Sequence, residues 1–308
     1  MKKIVNIALC YSGLVSDREN IITHKKFAEL FPNAQKVNFT TFIHTWEYKD
    51  NQNKLDYLVS KLHQCIGQNI KIDVTPYDEL DEILMHTDIQ NLYLSDRAIK
   101  RYNKIFPGLF DADMPIINID DYQGDIKKEL LRYKFAQFYS QFKAFELVGI
   151  EPSQYDLVVR LRQDTIIDNV DPQLPITDLF PFSHTFEEYM VRRNSSTIPS
   201  PGLRPLDYDE TSDLPIVFTA FNETDSGLTR HGFNYADWCW YMFYKDFAWF
   251  MDQYGSAGNF VSEMVNQYLL QQDSNQFHGV HRFLSKSLLD KNAMIYPWSA
   301  IQSSLEFA

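Results

Sequence analysis

The sequence predicts an α/β protein with a mixed, mostly parallel sheet flanked by helices. Three observations point there. Residues 4–10 are nearly continuous apolar sequence, as in a strand buried on both faces. Residues 125–148 carry Leu131, Phe135, Phe138, Phe142 and Phe145 as an apolar stripe at helical spacing. A second apolar strand, 155–161, follows that helix after a short connection. Strand, helix and strand in alternation imply parallel pairing through crossover helices.

The elements follow in order. Gly13 ends the first strand, and a polar helical stretch continues to Phe31, where Pro32 breaks it. Residues 37–46 form the next strand. Its alternation sets Phe42, His44 and Trp46 on one face and Ile43 and Thr45 on the other. A helix over 54–65 is marked by Leu55, Leu58, Leu62 and Cys65, and 70–74 reads as a third strand. Residues 78–123 mix helical pieces with Pro and Gly breaks and give no assignment. Gly149 closes the long helix. Residues 194–215 are rich in Ser, Pro, Gly and Asp, which predicts a long mobile binding loop or lid. Half of 231–250 is aromatic. A last helix spans 260–272, with Val261, Met264, Val265, Tyr268 and Leu269 on one face. With no repeat and no linker, 1–308 reads as a single domain.

Composition narrows the function classes. The chain has 308 residues and a formal charge of −12, which argues against a protein that wraps duplex DNA. Two basic clusters at helical spacing, Arg97, Lys100, Arg101 and Lys104, and Lys127, Lys128, Arg132 and Lys134, read as solvated helix faces. Three cysteines far apart, Cys10, Cys65 and Cys239, suggest reduced thiols and a cytoplasmic location. The basic, briefly apolar start reads as a strand rather than a signal peptide, and no stretch is long enough to span a bilayer.

The chemistry concentrates in Arg160-Leu161-Arg162-Gln163-Asp164. Continued strand alternation would bring Arg160, Arg162 and Asp164 out on one face, at the strand end where α/β sheets bind ligands. Guanidiniums suit a diphosphate through forked hydrogen bonds, and a carboxylate beside them suits a divalent cation bridging the same group. A salt-bridge ladder on a half-exposed strand would use the same residues equally well. Elsewhere, Asp237 stands before aromatic residues that include Trp238, either as a base or as a helix cap, and Glu263 opens the last helix. His44 and Trp46 share a strand end; His278 and His281 lie close together near the C-terminus.

These pieces have a family resemblance. Ser12-Gly13, Phe42-Ile43-His44-Thr45-Trp46, the helix run Phe138-Tyr139-Ser140-Gln141-Phe142-Lys143-Ala144-Phe145-Glu146-Leu147, and Tyr155-Asp156-Leu157-Val158-Val159-Arg160-Leu161-Arg162-Gln163-Asp164 stand in order over the first half of the chain. In that order they resemble GT-A type glycosyltransferases of bacteria and viruses, including phages, in which Arg-x-Arg-x-Asp replaces Asp-x-Asp. The resemblance implies a GT-A, Rossmann-like fold and a nucleotide-sugar donor, UDP-sugar favoured. It implies donor contacts at Ser12, Gly13, Arg18, Arg160 and Arg162, and Mg²⁺ or Mn²⁺ at Asp164. Asp237 and Glu263 become the catalytic carboxylates; His44, Trp46, Trp238, His278 and His281 rank lower. The acceptor would be a surface glycan or a hydroxymethylated base of phage DNA. A non-catalytic nucleotide- or carbohydrate-binding protein on the same frame is the alternative. The chain departs from the family pattern at Gln163, where Pro is usual, and at Arg18, which stands further from Ser12-Gly13 than the family's arginine.

Overall fold

The computed structural model describes residues 4–17, 19–47, 51–76, 124–149, 154–170, 214–221, 239–270 and 281–305. The expected elements form there, with small boundary shifts. Strand β1 is Ile4–Ser12, β2 is Lys36–Glu47 and β3 is Ile70–Pro76. Between β1 and β2 the polar stretch folds as a short α1, Ile21–His24, running into a 3-10 turn, Lys25–Leu30. Helix α2 is Asn51–Cys65 and α3 is Gly124–Val148, the latter ended by Gly149 at φ 74°. Then come β4, Leu157–Leu161, and β5, Thr165–Val170.

The second half adds elements that periodicity did not reveal. Strands β6, Ile216–Phe221, and β7, Cys239–Phe243, precede α4, Tyr244–Tyr254. Helix α5, Ala257–Leu270, begins three residues earlier than the apolar pattern suggests. Helix α6, His281–Asp290, and β8, Met294–Leu305, complete the described chain. The loop of 194–215 lies outside the described residues up to 213, as do 78–123.

The strands join one eight-stranded sheet in the order β3-β2-β1-β4-β7-β6-β8-β5. The first four run parallel. Strand β7 is antiparallel to both β4 and β6, β6 is parallel to β8, and β8 is antiparallel to β5. The expected α/β class with a mixed, mostly parallel sheet is therefore present. Strand alternation divides the core between the two faces. Ala8, Cys10, Phe42, Trp46, Val158 and Trp240 face one cluster, shared with α3, α4, α5 and α6. Ile7, Leu9, Tyr11, Ile43, Val159 and Tyr241 face the other, under α1 and α2. Burying a large apolar side chain on either face contributes about 1.5–3 kcal/mol.

Several polar residues in this core are matched. Asp156 accepts the backbone N–H of Asn6 and thereby ties the start of β4 to β1. Glu146 accepts the N–H of Ala257 at the start of α5, while Lys143 pairs with Glu146 and with Asp73 on β3. His24 is fully buried. Its Nε2 faces the Thr165 carbonyl at 2.7 Å, so that nitrogen carries the proton, and Nδ1 accepts from the Tyr11 hydroxyl. His44 is equally buried, between Ser140 on α3 and Thr75 on β3. Burial pulls the His24 pKa from 6.5 down to about 4. Burial, with the charge of Lys143, pulls His44 down to about 3.

Both histidines therefore fold as neutral rings. Between the ordinary value of 6.5 and their folded values, the unfolded chain binds more protons than the folded one. Stability is full above that ordinary value and falls as the pH drops toward the folded values. Each ring contributes up to about 1.4 kcal/mol per pH unit over this range. Urea titrations stepped from neutral to mildly acidic pH should show the midpoint falling, with a shallower fall for His24→Gln. A flat wild-type profile across that interval would contradict the burial of neutral rings.

Candidate functional site

Because β1, β2 and β4 are parallel, their carboxyl ends open on one edge of the sheet. A cleft of about 150 Å³ lies there. Ser12, Trp46 and Arg160 form its strand-borne side, and Ala136 and Gln137 of α3 close it laterally. The loop after β1 contributes Gly13, Leu14 and Ser16, and the segment after β4 contributes Arg162, Gln163 and Asp164. Five of the residues expected at the donor site thus share one cleft: Ser12, Gly13, Arg160, Arg162 and Asp164.

The route by which Arg162 and Asp164 reach the cleft differs from the expectation. Strand β4 stops at Leu161, and Thr165 N–H bonds back to the Arg162 carbonyl at 3.1 Å. Residues 162–165 are therefore a tight turn, and strand alternation does not govern them. The turn folds Arg162 against Asp164. Nε donates to Oδ1 at 3.0 Å and Nη2 to Oδ2 at 2.6 Å, a forked ion pair with both side chains less than one-fifth exposed. Arg160 remains on the strand proper, 3% exposed, with Cys10 and Trp240 as its register neighbours.

Gln163 is the residue that sequence reasoning passed over, noted then as a departure from Pro. Its side chain is buried, and its Oε1 accepts the backbone N–H of Ser16. The signal was present: position 163 is the second residue of the turn, where Pro is favoured for its fixed φ. Gln at that place keeps the turn and gains a tether to the loop after β1. That loop begins at Gly13, whose φ of 102° excludes most side chains from the conformation. The Gly13 N–H donates to Ser140 Oγ at 2.7 Å, which also contacts His44 Nδ1 at 2.7 Å. The Gly13 amide is thus already engaged. The Ser12 hydroxyl oxygen, by contrast, is buried without a hydrogen-bond partner among the described residues.

Other candidates fall elsewhere. His44 lies under the cleft rather than in it, with its ring edge-on to Trp46 at 5.3 Å. Glu263 stands in the second turn of α5, away from the cleft-lining residues, accepting from Gln267 and from Ser287 on α6. Arg18, Asp237, Trp238 and His278 lie outside the described residues, and of His281 only the backbone position at the start of α6 is described. Burial raises the Cys10 thiol and takes Cys239 to about 12, so neither is a thiolate nucleophile.

Of the charged groups among the described lining residues, two are guanidiniums and one is a carboxylate. That balance favours an anion, and guanidinium forks suit a phosphate or diphosphate. The expected Mg²⁺ or Mn²⁺ finds a poor donor set. Both Asp164 oxygens are taken by Arg162, and no group of three acidic, His or Cys side chains able to hold a metal occurs among the described residues.

No family model and no curated protein matches the chain. Among solved structures it is similar to apo mouse xyloside xylosyltransferase 1, at 10% identity, with 93% of this chain and 82% of that one covered and a TM-score of 0.34. No described helix is long and apolar enough to cross a membrane.

The Gln163 tether has a measurable consequence. Gln163→Ala should lower the unfolding free energy by about 1 kcal/mol, from the lost hydrogen bond, with an unchanged urea m-value. Gln163→Pro should lose the same bond and keep the turn, so its loss should match. Wild-type stability in both variants would show that the tether is not formed.

Proposed function

We propose that this chain is a nucleotide-sugar-dependent glycosyltransferase. It moves a sugar from a nucleoside diphosphate donor to an acceptor hydroxyl, with the diphosphate seated against Arg160 and Arg162. The observation that carries this reading is the placement of both guanidiniums and the buried Ser12 hydroxyl in one cleft at the carboxyl edge of parallel strands. That edge is where α/β sheets receive nucleotides.

The chemistry follows from the charge. The acceptor oxygen forms a bond to the anomeric carbon as the bond from that carbon to the diphosphate oxygen breaks. The electron pair leaves on the diphosphate, and the acceptor proton passes to a base. Preorganised guanidiniums beside the diphosphate stabilise the departing charge. Asp237 is our candidate for the acceptor-side base; it stands two residues before β7, whose first residue, Cys239, pairs with Leu161 at the cleft edge. Glu263 is a weaker candidate, since its carboxylate is engaged between α5 and α6.

UDP-sugars are the favoured donors, for hexosyl or pentosyl transfer. A glycan hydroxyl is the favoured acceptor, because a chain of charge −12 is poorly suited to grip duplex DNA bearing a hydroxymethylated base. A cytoplasmic site of action agrees with three unpaired thiols.

Release of nucleoside phosphate from a panel of UDP-, GDP- and CMP-sugars tests the reading, with glycan and modified-DNA acceptors in separate arms. One donor should turn over, and Arg162→Ala should cut kcat/KM by about 100-fold, as expected for loss of a transition-state charge contact. If no donor turns over with any acceptor while one still raises the melting temperature, the protein is a binding module on the same frame. The single carboxylate, already paired, is the feature that favours that second reading.

A further inference from the structure

We propose that the cleft binds its diphosphate without a divalent cation, and that Asp164 is a positioning residue for Arg162 rather than a metal ligand. This rests on the donor-site reading above and goes beyond it.

The geometry of the turn is the starting point. Arg162 and Asp164 are two residues apart and meet in a fork through Nε and Nη2, so each Asp164 oxygen accepts from a different nitrogen. A divalent cation would have to sit about 2 Å from one of those oxygens, on a carboxylate already facing a guanidinium. It would meet that positive charge at close range, with Arg160 as a second one in the same cleft. Mg²⁺ asks for one or two carboxylates with near-octahedral oxygen geometry. Asp164 is the one carboxylate among the described lining residues. Two guanidiniums against one carboxylate already leave the cleft a net positive charge without a cation.

The fork also leaves Arg162 a role toward the ligand. It lines the cleft while Nε and Nη2 are held on Asp164. A side chain with several rotatable bonds is thereby held in one orientation by a neighbour on its own turn. Fixing that orientation before the ligand arrives reduces the ordering cost of binding. Asp164 acts on the diphosphate only through Arg162. Because it is itself an anion, its removal subtracts a repulsion as well as a support.

Those two effects oppose each other when Asp164 is replaced, so affinity should hardly change, whereas removing a metal ligand would abolish metal-dependent binding. The experiment is calorimetric binding of free UDP, GDP, ADP, CDP and dTDP to the full chain, in EDTA and in millimolar Mn²⁺ or Mg²⁺. For the nucleotide that binds, the wild-type Kd should agree within about threefold across the three conditions, a difference under about 0.7 kcal/mol. Asp164→Asn should stay within the same margin in each, and Arg162→Gln should weaken binding at least about tenfold in EDTA. Binding that needs Mn²⁺ or Mg²⁺ and is lost in Asp164→Asn would overturn the proposal and leave the donor-site reading standing. Binding of none of the five in any condition would sink the donor-site reading and this inference with it. Should Asp164→Asn fail to fold, the wild-type comparison between EDTA and metal decides alone.

Discussion

The parallel alignment of β1, β2 and β4 is the constraint on which the rest of the structure depends. It brings three carboxyl strand ends to one edge and leaves α3 to cover one face of the sheet beside them. The strands are held in this order by two apolar cores rather than by the cleft itself. Ile7, Leu9 and Tyr11 face one core, Ala8 and Cys10 the other, so a slip of one residue would put each set into the core shaped for the other. The register Cys10 to Arg160 to Trp240 therefore follows from burial, and burial is what carries a guanidinium into the interior at the strand end. The charge of Arg160 thus lies at the end of the sheet where the cleft opens.

Between scaffold and cleft lies a layer of neutral polar side chains. Ser140 reaches from α3 to the Gly13 amide and to His44, and His44 reaches on to Thr75 on β3. On the opposite face His24 joins Tyr11 to Thr165, immediately after the arginine turn. Leaving one such buried group unpaired costs about 1–3 kcal/mol, so these bonds fix the loop after β1 and the turn after β4 relative to the sheet. The His-Thr-Trp strand end and the Tyr-Ser-containing helix run thus act as supports for the cleft. Trp46 alone among those motif residues reaches the cleft surface.

Much of this was legible in the sequence because it rests on periodicity. The apolar run of β1, the alternation in β2 and the stripe on α3 each express burial directly, and the elements formed within a few residues of their expected limits. The cleft was legible for a different reason. Parallel strands end together, so Ser12 and Arg160, at the ends of β1 and β4, had to be neighbours. Other features were not legible. Strand alternation was carried past Leu161 into a turn, because Arg-Gln-Asp has Gln163 where Pro would mark the turn, and Asp164 alone is a weak turn signal. The pairing of Arg162 with Asp164 depends on that turn and was invisible without it. Strand β6 and helix α6 escaped notice because short mixed segments give no period. Glu263 illustrates a further limit: a carboxylate near a helix start looks the same in sequence whether it faces a substrate or, as here, Ser287 of the next helix.

We propose that a nucleoside diphosphate occupies the cleft between the β1 and β4 strand ends, against two arginines. A crystal structure of the chain with the diphosphate that binds it best tests this most directly. Phosphate oxygens should lie within hydrogen-bond distance of Arg160 and Arg162, with Ser12 beside them and the Arg162–Asp164 fork intact. A diphosphate bound elsewhere on the sheet, with both guanidiniums facing away from it, would contradict it.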